Sequence, residues 1–134
     1  MSERRSEIEA RVEAATAAVN RGDWDAFFAE VDPEIEYTPV EENVTYRGRE
    51  EMTGYLERFL EVWDDHRLEL EEIEVAPTED RLFAAFRVSG QGKGSGVPVE
   101  GRGFQVIELR DCRYHRVREF LDRDEALAAY RQTE

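Results

Sequence analysis

The sequence contains a single cysteine, Cys112, and a single lysine, Lys93. One cysteine excludes an intrachain disulfide, and no CxxC, HExxH or Cys/His cluster accompanies it, so no metal site is expected. Cys112 lies in the turn stretch "RDCR" with no base beside it in sequence, which predicts an unreactive thiol. Basic residues are scarce throughout: 18 stand against 32 acids, for a net charge of −14. Phosphate-tracking surfaces and anionic membranes both demand a basic footprint, so nucleic acid and membrane are excluded as partners. No apolar run approaches the length of about 20 residues that a spanning helix needs. The opening "MSERRSEIEA" has no apolar export segment, and a cytoplasmic protein is expected. "GQGKGSG" is rich in glycine but follows no P-loop or dinucleotide pattern and leads into no helix, so it reads as a hairpin loop.

What is present fits one domain spanning residues 1–134, large enough for a single core. Residues 6–20 read as a helix: Ser6 and Glu9 have capping-box spacing, and Ile8, Val12, Ala15 and Val19 recur at helical intervals. Asn20-Arg21-Gly22 stops it. A second short helix starts with Asp23 as N-cap and carries Trp24, Phe27, Phe28 and Val31 before Asp32-Pro33 ends it. "EIEYTPV" reads as a strand with Ile35 and Tyr37 on one side, and residues 40–49 as a polar loop.

A third helix over about 50–63 collects Met52, Tyr55, Leu56, Phe59, Leu60 and Trp63 on one stripe, leaving His66 near its C-terminus with no site role. Four β-like runs follow, over 67–75, 81–90, 97–110 and 114–121. A final short helix begins with Asp122 or Asp124 as N-cap. Helices first and strands second imply an α+β domain with helices on one face of a mostly antiparallel sheet. "RLFAAFRV" is apolar on both faces apart from Arg87, so its second face is expected to meet a partner subunit or a pocket.

Four stretches, "AVNRGDWDAFFAEVDPEIEY", "YRGREEMTGYL", "GVPVEGRGFQVIELRD" and "HRVREFLDRDEAL", cover nearly the whole chain. In that order they resemble the SnoaL-like (polyketide cyclase-like) family of the nuclear transport factor two-like superfamily. The resemblance implies a cone: a curved, mostly antiparallel β-sheet wrapped by three N-terminal helices around an apolar cavity, with a short C-terminal helix. It also implies a homodimer through the outer face of the sheet. Cys112 stands where the family usually has glycine. The same fold carries isomerases, epoxide hydrolases, cyclases and non-catalytic proteins, so activity has to come from the site.

Three constellations can be laid on the chain. The ketosteroid isomerase set puts Thr38 at the base, Ala15 at the tyrosine and Gln105 near the oxyanion acid; threonine cannot deprotonate a carbon acid, though Gln105 can still donate a hydrogen bond. The limonene-type epoxide hydrolase set aligns "VREFLD" with that enzyme's last strand, which makes Glu119 the inward carboxylate, Arg87 its arginine and Tyr37 the water-orienting tyrosine. Ser89 and Pro39 replace its second acid and its asparagine, leaving the catalytic set incomplete. SnoaL-type aldol cyclases would use Asp122, with His115 as partner. Alternation along the last strand instead places His115, Val117, Glu119 and Leu121 on one face, and Asp122 as a helix cap.

The resulting expectation is a cofactor-free protein that binds a small hydrophobic molecule in its cavity. If it is an enzyme of cyclase, isomerase or hydrolase type, Glu119 is the acid/base, desolvated so that its pKa is raised, with Arg87 holding its charge and Tyr37 or Gln105 positioning water or a carbonyl oxygen. Tyr55, Phe59, Gln105, His115, Val117 and Leu121 are the expected ligand-binding residues. The competing reading is a non-catalytic binding or dimerisation module, with Glu119 salt-bridged to Arg87 and the cavity filled by Tyr37, Tyr55 and Phe59.

Overall fold

The structure is a computed structural model of the chain and describes residues 3–39 and 44–132. The elements run α1 (Glu3–Arg21), α2 (Trp24–Phe28), β1 (Val31–Thr38), β2 (Tyr46–Arg47), α3 (Gly48–Glu61), β3 (Trp63–Val75), β4 (Arg81–Gly92), β5 (Pro98–Arg110), β6 (Arg113–Phe120) and α4 (Arg123–Gln132). Among the described residues six strands form one sheet in the order β2-β1-β6-β5-β4-β3. Of these, β1 and β6 run parallel, and every other neighbouring pair is antiparallel. The expected α+β class and the order of its parts are found.

Local chemistry explains the joints. Ile8, Val12, Ala15 and Ala18 form the buried stripe of α1, and Gly22, at φ +70°, turns the chain out of the helix where a side chain would be strained. Asp23 caps α2, its Oδ1 accepting from the Ala26 N–H at 3.1 Å. Asn20 does more than stop α1: its amide donates to the Leu68 carbonyl at 2.8 Å and accepts from the Leu68 N–H at 2.7 Å. It thereby takes the place of a neighbouring strand on the free edge of β3 and ties the end of α1 to the sheet.

Some boundaries differ from the sequence reading. α1 already runs from Glu3, so Ser6 lies inside it and not at its N-cap, and α2 ends at Phe28, so Val31, Asp32 and Pro33 belong to β1 and not to a helix end. Of the expected 40–49 loop, residues 40–43 fall outside the described residues, whereas Tyr46 and Arg47 pair with β1 and Gly48 opens α3. α3 ends at Glu61, so Trp63 and His66 belong to β3 and not to a helix end. Asp122 opens α4 as expected, but through its backbone: its carbonyl accepts from the Ala126 N–H at 3.1 Å.

The sheet buries both faces. Its inner face carries Leu82, Ala84 and Phe86 of β4, Ile107 of β5 and Val117 of β6, packed against apolar residues of α1, α2 and α3. Its outer face carries Phe83, Ala85, Phe104 and Val106, covered by Ala126, Leu127 and Tyr130 of α4. The second apolar face of "RLFAAFRV" is therefore met by the chain's own C-terminal helix over Phe83 and Ala85, a correction to the expectation of a partner or pocket there. Arg81 Nε donates to the Tyr130 carbonyl at 3.0 Å, and Arg123 pairs with Glu72, which anchors α4 on this face.

Irregular pairing decides which side chains face inward. Along β6, Glu108 pairs with Arg116 but Leu109 pairs with Tyr114, leaving His115 as an extra, unpaired residue. Such a bulge moves everything before it to the opposite face. On β3, Leu70 pairs with Phe86 and Glu72 with Ala85, so Glu71 is the extra residue, and Leu68, Leu70, Ile73 and Val75 all pack against the inner core.

Candidate functional site

Between the inner face and the helices lies a chamber of about 150 Å³ with predominantly apolar walls. α1 contributes Ala15 and Val19, α2 contributes Trp24 and Phe27, and α3 contributes Met52, Tyr55 and Phe59. The sheet supplies Tyr37, Phe86, Gln105, Tyr114, Val117 and Glu119. A dry apolar cavity of this size admits roughly one aromatic ring.

Two polar side chains of the sheet wall are joined to each other. Gln105 on β5 and Glu119 on β6 are directly opposite in register, and Gln105 Nε2 donates to Glu119 Oε2 at 2.8 Å. A carboxylate only accepts, which fixes the amide with nitrogen toward Glu119. One amide hydrogen is thus committed to the carboxylate and the second is left over for another acceptor.

Tyr37 lies beside Val117 across the β1–β6 pairing, and its ring meets Tyr55 edge-on at 5.4 Å. Tyr55 stacks in turn on Phe59, with centroids 6.2 Å apart. Tyr37, Tyr55, Phe59, Gln105, Val117 and Glu119 are therefore brought to one chamber. The aromatic residues line it and leave space between them, so the competing expectation of a filled cavity is not met.

Three expected residues are elsewhere. Arg87 has the parity of Phe83 and Ala85, points to the outer face, and forms an ion pair with Glu100 at 2.6 Å. It neither supports nor neutralises Glu119, which corrects both the catalytic and the salt-bridge expectation for that pair. Ser89 shares the parity of Arg87. His115 is the bulged residue of β6 and does not line the chamber; it lies near Asp32, whose carboxylate takes two hydrogen bonds from Arg110, at 3.0 and 2.9 Å. Leu121 lies just beyond β6 and is 69% exposed.

Among the chamber residues that the sequence reading does not single out, two carry polar groups with a bearing on the site, Tyr114 and His66. Tyr114 takes the inward position that alternation assigned to His115, and burial, aided by the Glu30 carboxylate, pushes its phenol pKa up. The phenol therefore stays protonated, a donor at any ordinary pH. His66 lines the chamber from β3, and its Nε2 is buried with no hydrogen-bond partner among the described residues. The sequence signal for Tyr114 was the "DCR" turn, whose geometry sets the register of β6. For His66 there was none, because "VWDDHRLEL" continues the helical stripe of α3.

Among the described residues, no group of three or more His, Cys, Asp or Glu side chains is placed to hold a metal ion. No helix there is long and apolar enough to cross a membrane.

Comparison with known proteins agrees with the architecture. The family model of the SnoaL-like domain matches residues 12–118. No curated protein matches the chain. Among solved structures, it is similar to a provisionally assigned polyketide cyclase of Xanthomonas campestris pv. campestris, with 23% identity, TM-score 0.77, and 94% of this chain and 98% of that one covered. It is similar also to an NTF2-like protein of Burkholderia thailandensis E264, with 26% identity, TM-score 0.72 and coverage of 93% and 97%. TerC, co-crystallised with polyporic acid, shares 14% identity at TM-score 0.74, with coverage of 93% and 98%.

Proposed function

This chain belongs to the SnoaL-like domain family, and we propose that its chamber binds a small, mostly apolar organic molecule with a carbonyl or hydroxyl group, on which Glu119 acts as the proton-transfer group. The observation that carries this reading is the Gln105–Glu119 pair, set at 2.8 Å in the wall of an apolar chamber. Apolar walls supply affinity by area, while a few placed polar groups fix orientation.

The chemistry this pair suits is enolisation. The Glu119 carboxylate takes a proton from the carbon next to a carbonyl, the C–H electron pair becomes the new C=C bond, and the carbonyl π pair moves onto oxygen to leave an enolate. The uncommitted N–H of Gln105 donates to the developing oxyanion, and Glu119 returns the proton. No oxidant, reductant or cofactor enters the balance. TerC, with polyporic acid in its crystals, lends support from the same fold at low identity. The epoxide-opening alternative loses support, since Arg87 faces away from Glu119.

Acetophenone tests the proposal. Calorimetry should show saturable binding, and proton NMR in D₂O should show catalysed loss of the methyl signal, abolished in Glu119→Gln. Binding without exchange would instead favour the non-catalytic ligand-binding module, which the aromatic walls of Tyr37, Tyr55 and Phe59 also suit. Absence of binding would sink both.

A further inference from the structure

Gln105 and Glu119 line more than the chamber. A second hollow of about 280 Å³ shares those two residues with it as wall, together with Phe59, Leu68, Phe86 and Val88, and opens between β4, β5 and the end of β6. Its lining includes Gly101 and Gly103, which have the inward parity of Gln105, and its edge includes Trp63, Val99 and Leu121. A Cβ built on either glycine meets nothing within 4 Å, so the missing side chains leave open space rather than admit a close-packed neighbour.

Trp63 is held as a wall of this groove by a third glycine. A Cβ at Gly90 would come within 2.8 Å of Trp63 Cε3, so the indole lies directly against bare backbone of β4. Leu121 and Val99, 69% and 41% exposed, are apolar side chains at the rim with solvent on one side. The groove thus has Trp63, Val99 and Leu121 at its rim beside the charged Glu100 and Arg102, bare glycine at its floor, and the Gln105–Glu119 pair as a lining shared with the chamber.

We infer that the site takes a two-armed ligand: one apolar ring in the chamber, a carbonyl or hydroxyl at Gln105–Glu119, and a second flat apolar arm in the groove over Gly101 and Gly103. This inference rests on the proposed function of the chamber. Volume supports it, because 150 Å³ alone is below the usual range of about 300–1,000 Å³ for organic ligands and the groove brings the site into that range. The position of the polar pair supports it too. A ligand confined to the chamber would meet Gln105 at its edge, whereas a two-armed one meets it at its middle.

Benzophenone, a carbonyl between two phenyl rings, is the probe, and acetophenone, which lacks the second ring, is the control. Calorimetry on the full chain should give benzophenone an affinity at least about tenfold higher, as burial of one further ring implies. The Gly101→Val/Gly103→Val double variant should erase that gain and leave acetophenone binding unchanged. Gly103→Ala, with a single added methyl, should reduce the gain and serves if the double variant does not fold. If acetophenone binds but benzophenone gains nothing, or keeps its gain in a folded groove variant, the two-armed site is overturned while the chamber reading stands. If the glycine variants change sedimentation and not ligand affinity, the groove holds a second copy of the chain and the inference fails. If neither ketone binds, the chamber reading falls and takes this inference with it.

Discussion

Gln105 and Glu119 sit directly opposite each other on neighbouring antiparallel strands, and a hydrogen bond of 2.8 Å joins their side chains across the chamber wall. Their backbones are locked by the β5–β6 ladder, so the geometry of the pair is set by the sheet and not by loop conformation. A double-mutant cycle over Gln105→Ala and Glu119→Ala, read by urea unfolding, should give a coupling of about 1.5–3 kcal/mol, as expected of a hydrogen bond to a charged group. Additive losses would mean the contact contributes nothing to the fold.

Ala15 forms part of the chamber roof on α1 and is 2% exposed. Ala15→Leu should extend into the empty space, abolish acetophenone binding, and change stability by less than about 1.5 kcal/mol, since the volume it fills is already present. Retained binding in a folded variant would place the ligand elsewhere.

Asp32, 9% exposed, is clamped by Arg110 and accepts from the Glu34 N–H at 2.8 Å. The hydrogen bonds from Arg110, helped by the Glu34 amide and opposed by burial, hold its pKa down to about 2. Its unfolded value is about 3.9. The folded carboxyl is the stronger acid, so the pair contributes its full stability above about pH 4 and loses it as pH falls through 2. That contribution is about 2 kcal/mol. Asp32→Asn should be less stable at neutral pH and should lose the steep part of the unfolding free energy between about pH 4 and 2. An unchanged slope would assign it to other carboxylates.

The β5–β6 hairpin turns on Asp111 and Cys112, both in the left-handed region at φ +53° and +62°, between the paired Arg110 and Arg113. Two central residues of positive φ match the twist of a hairpin but strain any side chain other than that of Gly, Asn or Asp. Cys112→Gly should therefore raise stability by about 0.5–1 kcal/mol, offset in part by the greater freedom of glycine in the unfolded chain. A fall in Tm would mean that the packing of Cys112 against the inner core matters more than its backbone strain.

The homodimer that the family resemblance implies is checked by sedimentation equilibrium, with twice 15.6 kDa as the expected mass. Since α4 covers Phe83, Ala85 and Phe104, self-association through this face would use the charged stretch around Arg87 and Glu100. It should weaken as salt rises. A single species of 15.6 kDa at all concentrations would sink it.

The sequence by itself determined the order of the helices and of the longer strands, the capping of α2 by Asp23 and the buried stripe of α3 with Tyr55, because each follows from local periodicity or from one side chain bonding nearby backbone; the inward placing of Tyr37 and Glu119 is what the family resemblance implies. Tertiary structure alone decided the rest. The epoxide hydrolase resemblance puts Arg87 beside Glu119, and nothing local in "RLFAAFRV" opposes that, because both faces of the strand are apolar and parity has no reference until α4 covers one of them. His115 was assigned inward because alternation assumes an uninterrupted ladder, whereas an unpaired residue becomes visible only when β5 and β6 are set side by side. The groove over Gly101 and Gly103 was equally hidden: a glycine in a strand shows that a side chain is missing, and only the neighbouring strands and Trp63 show that the space stays open.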